Sequence, residues 1–437
     1  MNGISRLKLF VLAAGDVCLM YAALVVMLGI RYGHAYFHEL VRYHLLPFSL
    51  LFFAWTVLFY IGGMYDLKNL KNRFAFKRDF SFIMLVNLLV AVVFFYVFTA
   101  FHVSPKTNLL LLFVLFFAGD YAWRHLYNII LVTTMTPLNI AIIGAGREEE
   151  MLVKYITSNP QLGYRVGQTI DGIDKGFMDR LTGINLLVIP DYIKRDRNLI
   201  KVIYGTIFKG IDVKDISTFY EEIFNKIPLS ELEESWFIEN LSSQHSLFDA
   251  AKKPVEITLA ALLMLVLLPA AVLIAAVIKL TSKGGAVFRQ ERVGRREKRF
   301  VLYKFRTMIH NAEAGGPKWA EEDDARVTPV GRVLRATHLD EIPQLVNVIK
   351  GDLSFVGPRP ERPEFVEQLK KKIPYYEIRH IVKPGITGWA QINYKYAASI
   401  NDTYEKLQFD LYYLKRRSLV LDILILLKTI KTFFINP

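Results

Sequence analysis

Four long apolar runs crowd the first third of the chain, at about residues 9–30, 44–64, 80–101 and 108–132. Each is close to the ~20 residues a helix needs to cross ~30 Å of hydrocarbon. Inside a bilayer a chain must satisfy its own backbone polar groups, so these runs predict four transmembrane helices within residues 1–135. The first run carries Asp16 and lacks a small-x-small cleavage site, which predicts a retained helix rather than a signal peptide. Asp16 is expected to serve helix packing. Hydrophobic residues make up 53% of the chain, in keeping with a membrane protein.

Loop charges predict the orientation. Arg6 and Lys8 precede the first run, and Lys68, Lys71, Arg73, Lys77 and Arg78 fill the loop at 65–79. The loop at 102–107 has only Lys106, and 31–43 has Arg31 and Arg42. Positive loops stay inside, so the N-terminus, the 65–79 loop and everything beyond about residue 133 are expected in the cytoplasm. The net charge of +13 favours anionic partners, namely membrane lipids and phosphorylated substrates. No nucleic-acid-binding motif is present, and nucleic acid is not an expected partner. The single cysteine, Cys18, excludes an intrachain disulfide, and no Cys/His zinc spacing exists. His310, His338 and His380 read as surface or packing residues.

Residues 138–156, "LNIAIIGAGREEEMLVKYI", read as strand, glycine turn and helix. Gly144 and Gly146 match the first two positions of a dinucleotide-binding turn, but Glu149 replaces the third glycine. Asp171, at the end of "YRVGQTIDG", stands where a ribose-binding acid would lie. Further strands are expected at 184–190 and 210–216. Together they predict a small parallel α/β, Rossmann-like domain over 136–248. The missing glycine and the acids Glu148–Glu150 argue against a bound pyrophosphate and for a structural or regulatory role.

Residues 254–280 form a fifth apolar run with Pro269 in its middle. Lys252 and Lys253 flank one end, and Lys279 and Lys283 the other, so both ends carry the cytoplasmic signal. A mid-helix proline kinks a helix. A re-entrant helix is therefore expected, with a kinked full span as the alternative. Beyond it, aromatic and basic residues alternate through 284–308, which suits a lipid surface or phosphate. Lys428 and Lys431 interrupt the last apolar helix, which suits a position in the membrane interface.

The segment "ATHLDEIPQLVNVIKGDLSFVGPRP" (336–360) places Asp340 and Glu341 side by side, with Arg332 and Arg335 before them and Arg359 and Arg362 after. Spacing alone fits either a solvated helix cap or a chemical site. The words "FRQERVG", "YKFRTM", "LDEIPQLVNVIKGDLSFVGPRP", "KPGITGWAQINY" and "LDILILLKTI", in this order, resemble the monotopic phosphoglycosyl transferases of bacterial exopolysaccharide, capsule and O-antigen synthesis. The upstream spans and α/β domain resemble the large class of that family, so the likeness covers essentially the whole chain. "YKYAASINDTYEKLQFDLYY" is like the exopolysaccharide branch.

The resemblance implies a mainly α-helical catalytic domain over 249–437 with a re-entrant membrane helix broken at Pro269. It implies transfer of a sugar-1-phosphate from a UDP-sugar to undecaprenyl phosphate, giving undecaprenyl-diphosphate-sugar and UMP. It also implies Asp340 as nucleophile of a covalent phosphosugar-aspartate, with ping-pong kinetics. Glu341 is then assigned to Mg²⁺ or positioning, with Asp340 as a second metal ligand. Two anionic substrates and an attacking carboxylate call for cations. Arg359 is the first phosphate candidate, with Lys304, Arg306, Arg335 and Arg362 as further ones. Pro343 suits a helix first turn, whose amides favour phosphate. Three departures from the family pattern are visible. Leu268 precedes Pro269 in place of the usual serine, Ala286 replaces a proline, and Glu256 replaces an aspartate.

Two other classes compete. A nucleotide-sugar-modifying oxidoreductase would need an intact glycine turn. A transporter or scaffold protein would cluster polar residues within the spans and lack the motif block after them. The sequence leaves open which sugar is used and whether two copies pair as a homodimer.

Overall fold

The computed structural model describes residues 3–33, 37–66, 74–97, 106–133, 137–173, 177–241, 246–309, 312, 324–394 and 399–435. Lys68, Lys71, Arg73 and His310 lie outside these residues. The chain divides into two compact units, Met1–Ile223 and Phe224–Pro437.

The four N-terminal runs are helices: α1 (Gly3–Tyr32), α2 (Phe37–Ile61), α3 (Phe74–Val97) and α4 (Lys106–Thr133). They bury Trp55, Phe48, Phe59, Phe80 and Phe116 between them and leave apolar side chains such as Phe53 and Val93 exposed. A helix set apolar on its outside suits lipid, not water. The Asp16 carboxylate is buried and ion-paired with Arg124 of α4, which also bonds Asp120 at 2.9 Å and the Met64 carbonyl at 3.1 Å. Tyr65 donates to Asp16 at 2.8 Å. Asp16 is thus a packing residue, tying α1 to α4 and to the end of α2. Arg124, which sequence inspection passed over, is its partner.

Next come β1 (Leu138–Ile143), α5 (Arg147–Ser158), β2 (Tyr164–Ile170), α6 (Phe177–Arg180), β3 (Leu186–Ile189), α7 (Arg197–Ile207), β4 (Asp212–Asp215) and α8 (Ile216–Phe224). The four strands form one parallel sheet in the order β2-β1-β3-β4. Strands β1 and β3 are almost wholly buried apolar runs, as expected of parallel strands covered on both faces. Gly144 takes φ +108°, a conformation that only glycine adopts easily. The space at this turn is filled by Glu149. A Cβ on Gly144 would lie 2.7 Å from its Oε1, and one on Gly146 would lie 2.6 Å from its Oε2. Burial raises the pKa of Glu149, while the backbone of residues 146 and 149 pulls it back.

The second unit begins with α9 (Glu234–Leu241) and α10 (Ser246–Thr281). The packing boundary lies upstream of the expected 248/249 division. Ile227, Leu229, Leu232 and Phe237 pack with Val366, Leu369, Tyr376 and Leu411 of the second unit, contacts too distant in sequence to foresee. Helix α10 starts eight residues before the expected run, so Pro254 as well as Pro269 lies inside it. Among the described residues it is one of five helices long and apolar enough to cross a membrane. Its two halves pack on the same unit. Ala260, Leu263 and Leu267 meet Leu302 and Leu345, while Ala271, Ile274 and Ile278 meet Phe305 and Leu334.

The remaining elements are β5 (Val287–Val293), β6 (Arg299–Phe305), α11 (Pro329–Ala336), α12 (Leu345–Lys350), β7 (Ser354–Val356), α13 (Pro363–Lys372), β8 (Gly385–Thr387), α14 (Trp389–Asn393), α15 (Ile400–Arg416) and α16 (Leu419–Ile435). Strands β5 and β6 form an antiparallel hairpin; β7 and β8 pair in parallel.

Candidate active site

Three pieces converge to build the site. The first is β6, whose end carries Lys304. The second is the Asp340–Glu341 segment, held against β6 by Asn347, which is fully buried. Its amide donates to the Val301 carbonyl at 2.7 Å, and its Oδ1 accepts from the Tyr303 N–H at 3.1 Å. The third is the "GPRP" turn after β7. Gly357 touches the backbone of Gly385 and Gly388 so closely that a Cβ on Gly385 would lie 2.1 Å from the Gly357 nitrogen. The "PGITG" glycines thus let two backbones meet and set the turn that carries Arg359.

The Asp340–Glu341 segment differs from its expected form. Leu339–Gln344 is a 3₁₀ turn with Pro343 inside it, and the α-helix begins only at Leu345. The proline removes an amide donor within that stretch, so a regular α first turn of free amides is not formed. His338 precedes the turn in the left-handed region (φ 52°, ψ 17°) and redirects the chain after α11. With about three residues per turn, neighbouring side chains diverge by roughly 120°.

That divergence separates the two acids. Lys304 Nζ donates to Glu341 Oε1 at 2.7 Å, and Arg359 Nη2 donates to the same oxygen at 3.0 Å. Burial alone would raise the Glu341 pKa, but the charges of Lys304 and Arg359 overcome it and hold the carboxyl well below the usual range. Glu341 is therefore a fixed anion. Asp340 is buried, yet among the described residues no group donates a hydrogen bond to its carboxylate. Burial raises its pKa, with Lys304 pulling it down and Glu341 pushing it up. Lys304 itself is lowered by burial, against the pull of Glu341.

Both acids line a cavity of about 780 Å³. Eight of its described lining side chains are Arg or Lys and three are Asp or Glu, so it attracts anions. All the sequence-predicted site cations reach it, but their roles divide. Arg359 clamps Glu341. Arg335 Nε donates to Thr307 Oγ1 at 2.9 Å. Arg306 donates to the Ser282 carbonyl at 3.0 Å and its hydroxyl at 2.7 Å, just past the end of α10. Much of Arg306 is thus committed to the protein. Arg362 lies over the Phe365 ring, 5.7 Å from its centroid. Pro269 belongs to α10 and does not line the cavity.

Sequence inspection missed Arg379 and its partners. Arg379 is buried and donates to Asp410 at 3.0 Å, to the Tyr376 hydroxyl at 2.7 Å and to the Arg359 carbonyl at 3.0 Å. It holds the backbone of Arg359 rather than the cavity. The only signal was its place three residues before the "VKPGITG" word.

Among the described residues, no group of three or more His, Cys, Asp or Glu is placed to hold a metal. Mg²⁺ is often bound by one or two carboxylates together with substrate phosphates. The unpaired Asp340 carboxylate and Oε2 of Glu341, which takes part in no described hydrogen bond, suit that mode.

A cation-lined cavity with one clamped and one unpaired carboxylate, in a unit that carries a membrane-length helix, defines a membrane-associated site for anionic substrates. The chain belongs to the bacterial sugar transferase family, whose model matches residues 247–436. It is similar to the UDP-N-acetylgalactosamine-undecaprenyl-phosphate N-acetylgalactosaminephosphotransferase of Aeromonas hydrophila, at 42% identity over 51% of this chain and 52% of the relative. It is also similar to two proteins named UDP-glucose:undecaprenyl-phosphate glucose-1-phosphate transferase. The one from Escherichia coli is 42% identical over 42% of this chain and 40% of the relative. The one from Caulobacter vibrioides is 38% identical over 42% of this chain and 69% of the relative. The chain thus matches about half the length, or less, of the first two of these relatives.

Proposed function

We propose that this chain transfers a sugar-1-phosphate from a UDP-sugar to undecaprenyl phosphate, releasing UMP, as a membrane step of polysaccharide assembly. The carrying observation is the contrast between Asp340 and Glu341: one carboxylate in the cavity is neutralised by two cations, and the other is left unpaired. An Asp340 oxygen attacks the sugar-bearing phosphorus of the diphosphate. The bond from that phosphorus to the bridging oxygen breaks, and UMP leaves with the electron pair. An oxygen of undecaprenyl phosphate then attacks the phosphosugar-aspartate, forming the new diphosphate and returning the Asp340 carboxylate. Two half-reactions suit a soluble donor and a lipid acceptor that arrive separately.

Lys304 and Arg359 offset the charge that builds up as carboxylate and phosphates meet. Glu341 keeps both cations in place. Arg335 and Arg362 offer further guanidinium forks for phosphate. Mg²⁺, held by Glu341 Oε2 and Asp340 with the diphosphate, would supply further charge neutralisation. The names of the relatives support undecaprenyl phosphate and a UDP-sugar as substrates. Glucose, galactose and their N-acetyl forms are the first sugars to try.

The packing of both halves of α10 on one unit supports a re-entrant helix, with the catalytic unit on the cytoplasmic face of the inner membrane. A cysteine placed at exposed Lys298, in a Cys18→Ser background, is expected to resist an impermeant label on intact cells. Labelling there would refute that topology. For the reaction, purified protein with Mg²⁺, undecaprenyl phosphate and a panel of UDP-sugars is expected to release UMP with one of them. No release across the panel would refute the function.

A further inference from the structure

A second cavity, of about 180 Å³, shares no described lining residue with the first. It lies where α10 and α16 begin. Lys252, Lys253, Arg295, Lys383 and Arg417 line it, against the carboxylates of Asp249 and Glu256. Three of the cations are engaged. Lys252 bridges to Asp422 at 2.7 Å and donates to the Val356 carbonyl at 3.1 Å. Arg417 bonds both oxygens of Asp249, at 2.9 and 3.2 Å. Arg295 donates to the Ile381 carbonyl at 3.1 Å. Lys253 and Lys383 have no hydrogen bond or ion pair among the described residues.

The apolar surface begins at the same place. Val255, two residues after Lys253, is 62% exposed, and Leu259 and Leu262 follow it on α10. Leu419 and Val420, directly after Arg417 and Ser418, are 62% and 67% exposed on α16. The Lys252–Asp422 and Asp249–Arg417 contacts tie the two helix starts together. A positive recess therefore opens beside two exposed apolar helix surfaces. Its complement is a molecule with a phosphate head and hydrocarbon tails.

We infer that this cavity is a headgroup site for an anionic membrane phospholipid, with the phosphate against Lys253 and Lys383 and the acyl chains along α10 and α16. Juxtamembrane lysines attract anionic lipid, and two act together here. Burial depresses the Lys383 pKa against the pull of Glu256 and Asp249, and the charges of Lys253 and Arg295 lower it further, a cost that a bound anion relieves. The site is separate from the proposed catalytic cavity and does not depend on the reaction proposed there.

The test is native mass spectrometry of the full chain in detergent, titrated with phosphatidylglycerol or phosphatidylcholine. Wild type is expected to bind phosphatidylglycerol preferentially. Lys253→Gln/Lys383→Gln is expected to lose roughly thirtyfold in that binding, and Lys253→Arg/Lys383→Arg to retain it. Unchanged phosphatidylglycerol binding by the Gln pair would overturn the inference. Competition by inorganic phosphate at equal concentration would also overturn it, by making the ligand a free anion. Preferential binding of undecaprenyl phosphate at these lysines would overturn it by making the recess an acceptor site. UMP release by the Gln pair is read in parallel and is expected to persist. Its loss in a folded Gln pair would contradict a site separate from catalysis.

Discussion

Two places in this molecule look, in sequence, as if they should hold a phosphate: the glycine turn after β1 and the acid–arginine block around residue 340. The structure treats them in opposite ways. At the glycine turn, a carboxylate from the chain itself, Glu149, fills the space beside Gly144 and Gly146. Around residue 340, Lys304 and Arg359 collect on Glu341, and Asp340 is left unpaired in a wide positive cavity. A glycine-rich turn is a phosphate site only where its amides face open space. Cations make a reactive site only where they leave one acid free.

The largest effect that tests this contrast comes from Asp340→Asn. It is expected to lower UMP release by roughly three orders of magnitude or more, as removal of a nucleophile does. Near wild-type release would erase the distinction between the two acids. Glu341→Gln keeps the shape but loses the charge that holds Lys304 and Arg359. Charged hydrogen bonds contribute about 1.5–3 kcal/mol each, so a roughly tenfold to hundredfold loss in kcat/KM is expected. Arg379→Lys comes next, with a loss of about tenfold expected from a displaced Arg359. In a ping-pong reaction each kcat/KM reports its own half-reaction. Arg359 offsets charge in both, so Arg379→Lys should lower both while the melting temperature stays unchanged. Losses that track a lowered melting temperature would point to general destabilisation instead.

The pH profile sharpens the comparison between the two acids. Asp340 must be ionised to attack, and its pKa lies above its ordinary value. The rate is expected to fall as pH drops through that raised value. Glu341 has the opposite shift. The stability it contributes is present above its unfolded pKa and is lost only as pH falls through its depressed folded value. The acid limb of the rate should therefore lie at higher pH than the loss of Glu341-linked stability, and coincident limbs would contradict this division. The smallest effect belongs to the filled turn. Glu149→Ala should leave UMP release within about twofold, and NAD should not stabilise the wild-type protein thermally. Thermal stabilisation by a dinucleotide would mean that Glu149 yields its place to a ligand.

The four spans and the parallel strands were legible because their signals are local: apolar length for the helices, and short buried runs after a glycine turn for the strands. The acid pair was legible through the words around it. Spacing alone did not distinguish it from a helix cap. What sequence inspection could not supply were contacts closed over long separations. Arg124 answers Asp16 from 108 positions away. Asn347 pins β6 from 46 positions away. Arg306, a phosphate candidate by its motif, donates to Ser282 instead. The 3₁₀ form of 339–344 follows from Pro343 and the left-handed His338, and it decides which acid faces which cations. Residues 224–241 join the second unit through Phe237 and Ile227, which cluster with Tyr376 and Leu411 more than a hundred residues on.

The most direct test of the central claim is to look for the intermediate on Asp340. The purified protein would be incubated with its UDP-sugar and Mg²⁺ in the absence of undecaprenyl phosphate, quenched, digested and examined by mass spectrometry. A burst of UMP and a sugar-phosphate mass increment on the peptide containing Asp340, absent in Asp340→Asn, is the predicted result. UMP release that requires undecaprenyl phosphate, with the Asp340 peptide unmodified, would contradict it.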